Sequence, residues 1–153
     1  MTTVDYRIAT IADGSPLSWM NQQLIRDEGH RNAMSAAELQ ARMEGWLAGE
    51  YEGVLFGDAV GPAGYALFRR DADFIYLRQF FVEPDRRRQG IGRAALTWLL
   101  EHAWQESPRI RLEVLVGNSA GIRFWRSLGF VDYCVTMERD GDGKVFQQTE
   151  ALI

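Results

Sequence analysis

The segment from Phe80 to Arg93 contains the residues whose types and spacing most clearly indicate chemistry. An apolar run is followed by a turn, three consecutive arginines, two glycines and a helical pattern. Free N–H groups at a helix start bind phosphate oxygens through hydrogen bonds and the helix dipole. Gly90 and Gly92 remove side chains that would obstruct a pyrophosphate, and Arg87 or Arg93 can also reach a phosphate directly. The pattern therefore predicts an anion site.

Other interpretations of this segment remain open. A P-loop is excluded, because no Lys-Ser or Lys-Thr pair follows the glycines. The usual dinucleotide loop has a third glycine where this chain has Ala95, although alanine is tolerated there. A run of arginines is also typical of a solvated face or of a nucleic-acid patch. The formal net charge of -4 argues against nonspecific nucleic-acid binding, which depends on neutralising phosphates.

The elements that must position this segment follow from hydrophobic periodicity. Alternation with a period of two predicts strands, and apolar residues three and four apart predict helices. The predicted order is β-α-α-β-β-β-α-β-α-β-β, with the three central strands forming an antiparallel meander. The predicted strands are 3–9, 51–56, 64–69, 74–82, 110–116, 130–138 and 145–153, and the predicted helices are 17–28, 36–48, 91–103 and 120–128.

Length and composition predict a single domain over residues 1–153. A chain of 153 residues with 46% hydrophobic residues is sufficient for one core. Cys134 is the sole cysteine and excludes an intramolecular disulfide, and no apolar run approaches the length of a membrane span. We therefore expect a cytoplasmic protein with no signal peptide and no membrane partner. His30 and His102 are isolated and give no zinc-ligand spacing, so no metal is predicted.

Two motifs carry a resemblance to the GCN5-related N-acetyltransferase (GNAT) superfamily. Arg87-x-x-Gly90-x-Gly92 resembles its acetyl-CoA signature, and the segment Asn118 to Phe130 is similar to its N-x-x-A-x-x-F-Y-x-x-x-G-F pattern. The resemblance implies an α/β (α+β) fold with a mixed, twisted sheet of six to seven strands and about four helices. The fourth and fifth strands would splay apart around the pantetheine arm. The implied activity is transfer of an acetyl group from acetyl-CoA to an amine.

The resemblance also implies which residues bind the acyl donor. The backbone of Phe80 and Val82 would pair with the pantetheine amides, and a backbone N–H near Phe81 would stabilise the oxyanion. Asn118 would contact pantetheine or phosphate, or would instead cap the helix that follows. The pyrophosphate would be held by the N–H groups of a continuous run, namely Arg87, Arg88, Gln89, Gly90, Ile91, Gly92 and Arg93.

The chain departs from the family where a base is common, because those positions hold Tyr76 and Arg78. Neither is an ordinary base at neutral pH. Tyr76 would orient a water or the acceptor, or would simply be an amphipathic strand residue. Arg78 shares the face of Tyr76 and Phe80, and it binds an acceptor carboxylate or pairs with an acid of the first helix. The second interpretation is favoured, with Asp27 or Glu28 as partner.

Further candidates for the base and for acceptor binding come from outside that strand. Asp27, Glu28 and His30 follow one another at the end of the first helix, and Glu83 ends the fourth strand. Each is more often a surface group than a base. We retain Glu28 with Arg78 as candidate acceptor-binding residues.

The second departure from the family is Trp125, which stands where a tyrosine commonly protonates the leaving sulfur. An indole donates a hydrogen bond but is no acid, and Tyr133 is the nearest alternative donor in sequence. Thiolate leaves without much help, because a thiol has a pKa of about 8.5. The expected activity is acetylation of a primary amine of a small molecule, amino acid or peptide. A coenzyme A-binding module that has lost catalysis is the alternative, and the oligomeric state, with a homodimer as one option, stays open.

Overall fold

The computed structural model describes residues 3–143, and its elements follow the predicted order. This part of the chain forms five strands and four helices, with short 3-10 turns at Ile11–Asp13 and Pro84–Arg86. The strands are β1 Asp5–Ile8, β2 Tyr51–Asp58, β3 Gly61–Arg70, β4 Ile75–Val82 and β5 Ile110–Arg111. The helices are α1 Gly14–Glu28, α2 Ala36–Ala48, α3 Ile91–His102 and α4 Ser119–Ser127.

The sheet has the strand order β1-β2-β3-β4-β5 and is mixed. The first four strands pair antiparallel, whereas β4 and β5 are parallel. The mixed α/β class and the four helices confirm the prediction, but the described residues hold five strands rather than six or seven. The predicted strand at 145–153 lies outside the described residues, and 130–139 carry no strand within them.

Local sequence signals explain where the two N-terminal helices begin and end. Ser35 and Glu38 form a capping box, in which the Glu38 N–H donates to Ser35 Oγ and the Ser35 N–H to Glu38 Oε1. Helix α1 ends at Gly29, whose φ of 69° is the left-handed conformation that glycine adopts without strain. Local capping thus explains the end of α1 and the start of α2.

Two apolar clusters cover opposite faces of the sheet. The first includes Ile75 and Leu77 of β4 and the buried stripe of α3, and the second includes Phe81 of β4 with the buried faces of α1 and α2. Each face of the sheet is thus covered by helices. Within residues 3–143, no helix is long and apolar enough to cross a membrane.

Candidate active site

Strands β4 and β5 pair only at their beginnings. Ile75 is opposite Ile110 and Tyr76 is opposite Arg111, and no further pair follows. From Leu77 to Val82, this edge of β4 has no strand partner among the described residues. The predicted strand 110–116 was therefore too long, because the chain after Arg111 diverges from the strand with which it would pair. The divergence opens the gap that the resemblance implied.

The ladder between β3 and β4 decides which backbone groups face this gap. The Glu83 N–H donates to the Ala63 carbonyl at 2.7 Å, and Phe81 is opposite Tyr65 two positions further along. Hydrogen-bonded pairs alternate along an antiparallel ladder, so the backbone of Phe81 faces β3. The N–H and carbonyl groups of Phe80 and Val82 face the gap, as the resemblance required. The Phe81 N–H thus faces β3 rather than the gap, and an oxyanion donor near Phe81 stays a prediction.

A β-bulge in β4 changes which side chains share a face. Leu67 pairs with Gln79 and Phe68 pairs with Leu77, so that Arg78 has no partner on β3. Beyond the bulge the alternation is shifted by one residue. Tyr76 and Arg78 lie on the α1 and α2 side, whereas Phe80 packs on the α3 side. The prediction that Arg78 and Phe80 share a face was wrong, because a period of two holds only in an unbulged strand.

The turn before α3 presents free backbone N–H groups. Gly90 is the N-cap of α3 with φ of 79° and makes no side-chain capping bond, and Arg88 also has a left-handed φ of 62°. The first N–H bonded within the helix is that of Ala94, which donates to the Gly90 carbonyl. The N–H groups of the first turn thus have no intrahelical acceptor. This is the backbone arrangement of an anion site.

Gly92 is required by packing rather than by backbone conformation. A Cβ atom at this position would lie 3.2 Å from Cζ of Phe124 and 3.6 Å from Cε1 of Phe80. The missing side chain lets α3 approach the Phe124 ring of α4, and Arg93 donates to Ser127 Oγ on the same helix. The second glycine of the motif therefore fixes α4 beside the gap.

The arginines of the motif have different partners. Arg86 binds Asp58 at the end of β2, and both side chains are largely buried. Arg87 donates from Nε to the Val82 carbonyl and from Nη2 to Asp27, both at 2.8 Å. Gln89 donates from its side chain to the Asp85 carbonyl. Arg88 is exposed. The loop is thus attached to β4 and to the end of α1.

Asn118 acts as a helix cap. Its Oδ1 accepts the Gly121 N–H at 3.0 Å, and Gly121 leaves room for the amide, since a Cβ there would lie 2.5 Å from Nδ2. Of the two interpretations of Asn118, the capping role is visible in the structure. Contact with pantetheine or phosphate stays a prediction.

A cavity of about 290 Å³ opens at the end of the gap. It lies between the C-terminal half of α1, the bulged part of β4, the chain after β5, and α4. Its lining contains several titratable or hydrogen-bonding side chains, among them Asn21, Glu28, His30, Asn32, Arg42, Tyr76, Arg78, Gln79, Glu113 and Trp125. The candidate acceptor residues Glu28, Tyr76 and Arg78 therefore meet in one place.

Tyr76 is bound to a carboxylate that the sequence analysis did not single out. Its hydroxyl donates to Glu113 Oε1 at 3.0 Å. Burial raises the pKa of Tyr76, and the hydrogen bond to Glu113 raises that pKa further. Glu113 lies two residues after the end of β5, and it reaches Tyr76 across the gap between β4 and the chain after β5. The alternation predicted over 110–116 offered no signal that this glutamate faces a cavity.

The two acids at the end of α1 contact different partners. Nε2 of His30 lies 2.7 Å from Oε2 of Glu28, and both residues line the cavity. Asp27 turns instead to Arg87. Burial raises the pKa of Glu83, and nearby Asp85 adds to this effect, but Glu83 is not part of the cavity lining. Glu28 and His30 are thus the α1-end candidates that share the site.

The favoured interpretation of Arg78 was wrong, because neither Asp27 nor Glu28 pairs with it. Its Nη1 donates to the Tyr51 hydroxyl at 3.2 Å, and its guanidinium lies 4.7 Å from the ring centroid of Trp46. The two acids already have other partners, and Arg78 lies against Trp46 of α2. Within residues 3–143, no carboxylate forms an ion pair with this arginine.

Trp125 and Tyr133 differ in their relation to the cavity. The Trp125 ring lines it and packs edge-on against Phe80, with the ring centroids 5.3 Å apart. Tyr133 is absent from the lining, and its hydroxyl accepts a long bond of 3.4 Å from Arg111. The described residues thus place an indole beside Phe80 at the cavity. The role of Tyr133 as a proton donor stays a prediction.

No cluster of three potential metal ligands occurs within residues 3–143.

Comparison with known proteins agrees with this architecture. The profile of the acetyltransferase (GNAT) family matches residues 16–130. The [ribosomal protein bS18]-alanine N-acetyltransferase of Escherichia coli is 36% identical over 69 residues. These residues are 44% of this chain and 47% of that enzyme, so the chain spans about half the length of this relative.

Solved structures share the fold at low sequence identity. A possible acetyltransferase from Clostridium difficile 630 has a TM-score of 0.77 at 14% identity, covering 94% of this chain and 99% of that one. A predicted acetyltransferase with acetyl-CoA from Clostridium acetobutylicum has a TM-score of 0.72 at 20% identity, covering 90% and 96%. With a family match over most of its length and this fold, the chain belongs to the GNAT acetyltransferase family.

Proposed function

We propose that the protein transfers the acetyl group of acetyl-CoA to a primary amine of a small molecule, amino acid or peptide. Transfer takes place by direct attack in a ternary complex. One observation carries the proposal: among residues 3–143, no strand pairs with the edge of β4 from Leu77 to Val82. This edge runs from the free N–H groups of α3 to a cavity that contains Tyr76, Glu28 and Glu113.

The residues present fit acetyl-CoA. Gly90 and the first turn of α3 supply N–H donors for a pyrophosphate. The outward N–H and carbonyl groups of Phe80 and Val82 match the amides of a pantetheine arm, as an added strand would. The Val82 carbonyl already accepts from Arg87 but retains a second lone pair. Acetyl-CoA would supply the activated acyl group at the end of this edge.

In the proposed reaction, the acceptor nitrogen attacks the thioester carbonyl. A nitrogen–carbon bond forms, the carbon–sulfur bond breaks, and coenzyme A leaves as thiolate or thiol. A lysine-like amine has a pKa of about 10.4 and must first lose a proton. We assign that proton to Glu113, directly or through a water held by Tyr76, while Glu28 attracts the ammonium.

Backbone and side chains divide the remaining tasks. The negative charge that develops on the thioester oxygen is stabilised by the outward N–H of Phe80 or Val82. Trp125 offers a hydrogen-bond donor but no acid, so the thiolate leaves without protonation by that residue. The same tryptophan also favours the second candidate function, a coenzyme A-binding module without catalysis.

Two measurements test the proposal. Saturating acetyl-CoA at a hundred times its Kd stabilises the native state by about 2.7 kcal/mol, which is roughly 5–10 °C for a domain of this size. Thiol release is then followed with a panel of amines. A midpoint that does not move at millimolar acetyl-CoA would exclude the acyl donor. A raised midpoint with no thiol release for any amine would favour the binding module.

A further inference from the structure

Two arginines line the cavity without a carboxylate partner. Arg42 of α2 donates from Nη2 to Asn21 Oδ1 at 3.0 Å, and its guanidinium lies 4.4 Å from the ring centroid of Trp46. Arg78 of β4 lies against the same ring and donates to the Tyr51 hydroxyl. Within residues 3–143, no ion pair involves either arginine. Two positive charges thus share one wall of the site.

The nearby acids are engaged elsewhere. Glu28 is bound to His30, Asp27 to Arg87, and Glu113 accepts from Tyr76. Burial lowers the pKa of Arg42, and the charge of Arg78 lowers it further. Repulsion between two like charges on one wall raises the free energy of the folded state. An anion bound between the two guanidinium groups would offset that repulsion.

The same wall holds donors that lack acceptors. The side chain of Asn21 is buried, with 1% of the residue exposed, and its Nδ2 makes no hydrogen bond of normal length, although the Tyr65 hydroxyl lies close to this amide. Nε of Arg42 is likewise buried and unpartnered. Both residues line the cavity. Buried polar groups are normally satisfied, so unpaired donors beside two guanidinium groups indicate a ligand that accepts.

We propose that Asn21, Arg42 and Arg78 bind an anionic group of the acceptor, and that the acceptor is therefore an amine that carries a carboxylate. This inference rests on the acetyl transfer proposed above and narrows its substrate class. A guanidinium fork matches the two oxygens of a carboxylate. The cavity of about 290 Å³ suits a molecule the size of an amino acid or a short peptide. Opposite charges then lie at two ends: the carboxylate on the arginines and the amine towards Glu28 and Glu113.

Matched acceptors test the charge requirement. Each amino acid is assayed beside its carboxamide, its decarboxylated amine and an amine that carries a phosphate instead. Charge-assisted bonds of this kind are worth a factor of about 10 to 100 in kcat/KM. We expect the carboxylate compound to exceed its amide and its decarboxylated amine by that factor. A preference for the phosphate compound would keep an anion site but overturn the carboxylate assignment, and equal rates for all four would overturn the inference.

Variants test whether Arg42 and Arg78 cause the preference for a carboxylate. Arg78→Gln and Arg42→Gln should reduce the ratio of carboxylate to amide turnover to near one. Arg70→Gln, which removes a charge paired with Glu52 outside this cavity, should leave the ratio unchanged. A loss that affects both acceptors equally would indicate a structural role and contradict the inference. Because the ratio is internal to each variant, partial misfolding does not change its reading.

The experiment separates this inference from the proposed function. If acetyl-CoA raises the thermal midpoint and some amine is acetylated without preference for a carboxylate, only the inference fails. If no amine releases thiol, the proposed function fails first. Thermal shift with acetyl-CoA should stay normal in Arg78→Gln, since this arginine does not contact the α3 turn.

Discussion

The two halves of β4 differ in what they contribute to the site. Around Phe80 and Val82 the strand contributes backbone groups, and the adjacent Gly90 turn does the same. Around Tyr76 and Arg78 it contributes side chains, which lie on the α1 and α2 side of the sheet, and the bulge places Phe80 on the other side. A backbone site depends on a few glycines and can be recognised from a motif. A side-chain site depends on which residues the fold happens to bring together.

The largest effect on ligand affinity should come from a charge introduced into the backbone half of the site, which comprises Phe80, Val82 and the Gly90 turn. Gly90→Asp places a carboxylate at the turn where a pyrophosphate is expected, and two like charges about 5 Å apart repel by about 3 kcal/mol at an effective dielectric constant of 20. We expect the Kd for acetyl-CoA, measured by calorimetry, to rise at least about 100-fold.

Gly90→Asn is the matched control for this change. Asparagine also tolerates the left-handed φ of 79° and carries no charge, so it should weaken binding far less than aspartate. Equal affinity of the two variants would show that charge at this turn is irrelevant. The anion site would then lie elsewhere.

Substitutions at the cavity beside Tyr76 and Arg78, the side-chain half, should mainly change kcat. If Glu113 takes the acceptor proton, Glu113→Gln lowers kcat by about 100-fold, the lower range for a positioned base. Glu101→Gln, an exposed acid of α3, serves as the control and should leave kcat unchanged. Unaltered kcat in Glu113→Gln would move the base to the pair formed by Glu28 and His30.

Tyr76→Phe sharpens the same test through pH dependence. The pKa of Tyr76 is raised by burial and then by Glu113, so its phenol stays protonated below about pH 10. Loss of the hydroxyl should lower kcat by about tenfold without shifting either limb of the pH–rate profile between about pH 6 and 9. A displaced basic limb would mean that Tyr76 itself titrates in that range.

A smaller effect is expected at the sulfur end. Trp125→Tyr should change kcat by less than about tenfold, because thiolate already leaves readily and the smaller ring leaves a void beside Phe80. The comparison is made with the best acceptor from the amine panel. An inactive wild type restored to strong activity by the tyrosine would favour the binding-module function.

The smallest effect should come from the ion pair that joins the end of α1, next to the side-chain half, to the loop before α3, next to the backbone half. Asp27→Asn breaks the ion pair with Arg87, whose side chains are 32% and 41% exposed. Such surface pairs contribute less than about 1 kcal/mol, so the thermal midpoint should fall by at most about 2–4 °C. Asp132→Asn, which breaks the exposed pair with Arg126, is the control. A much larger loss of acetyl-CoA affinity in Asp27→Asn than in the control would show that the two halves are coupled.

Prediction from the sequence succeeded where the signal was local. The capping box at Ser35, the glycine turn at Gly90 and the order of strands and helices were all readable from neighbouring residues. It failed at the β4 bulge and at the length of β5, because both depend on a partner strand. Period-two alternation cannot show where pairing slips or stops.

Sequence alone determined the family, the loop before α3 and the strand whose backbone groups face the gap. These features require particular residues at fixed spacings, and glycine conformation and helix ends act over only a few residues. The tertiary structure decided which side chains line the cavity. Glu113 reaches Tyr76 across 37 positions of sequence, and Arg42 reaches Asn21 across 21. Contacts at such separations follow from how helices pack on a twisted sheet, and no local pattern encodes them.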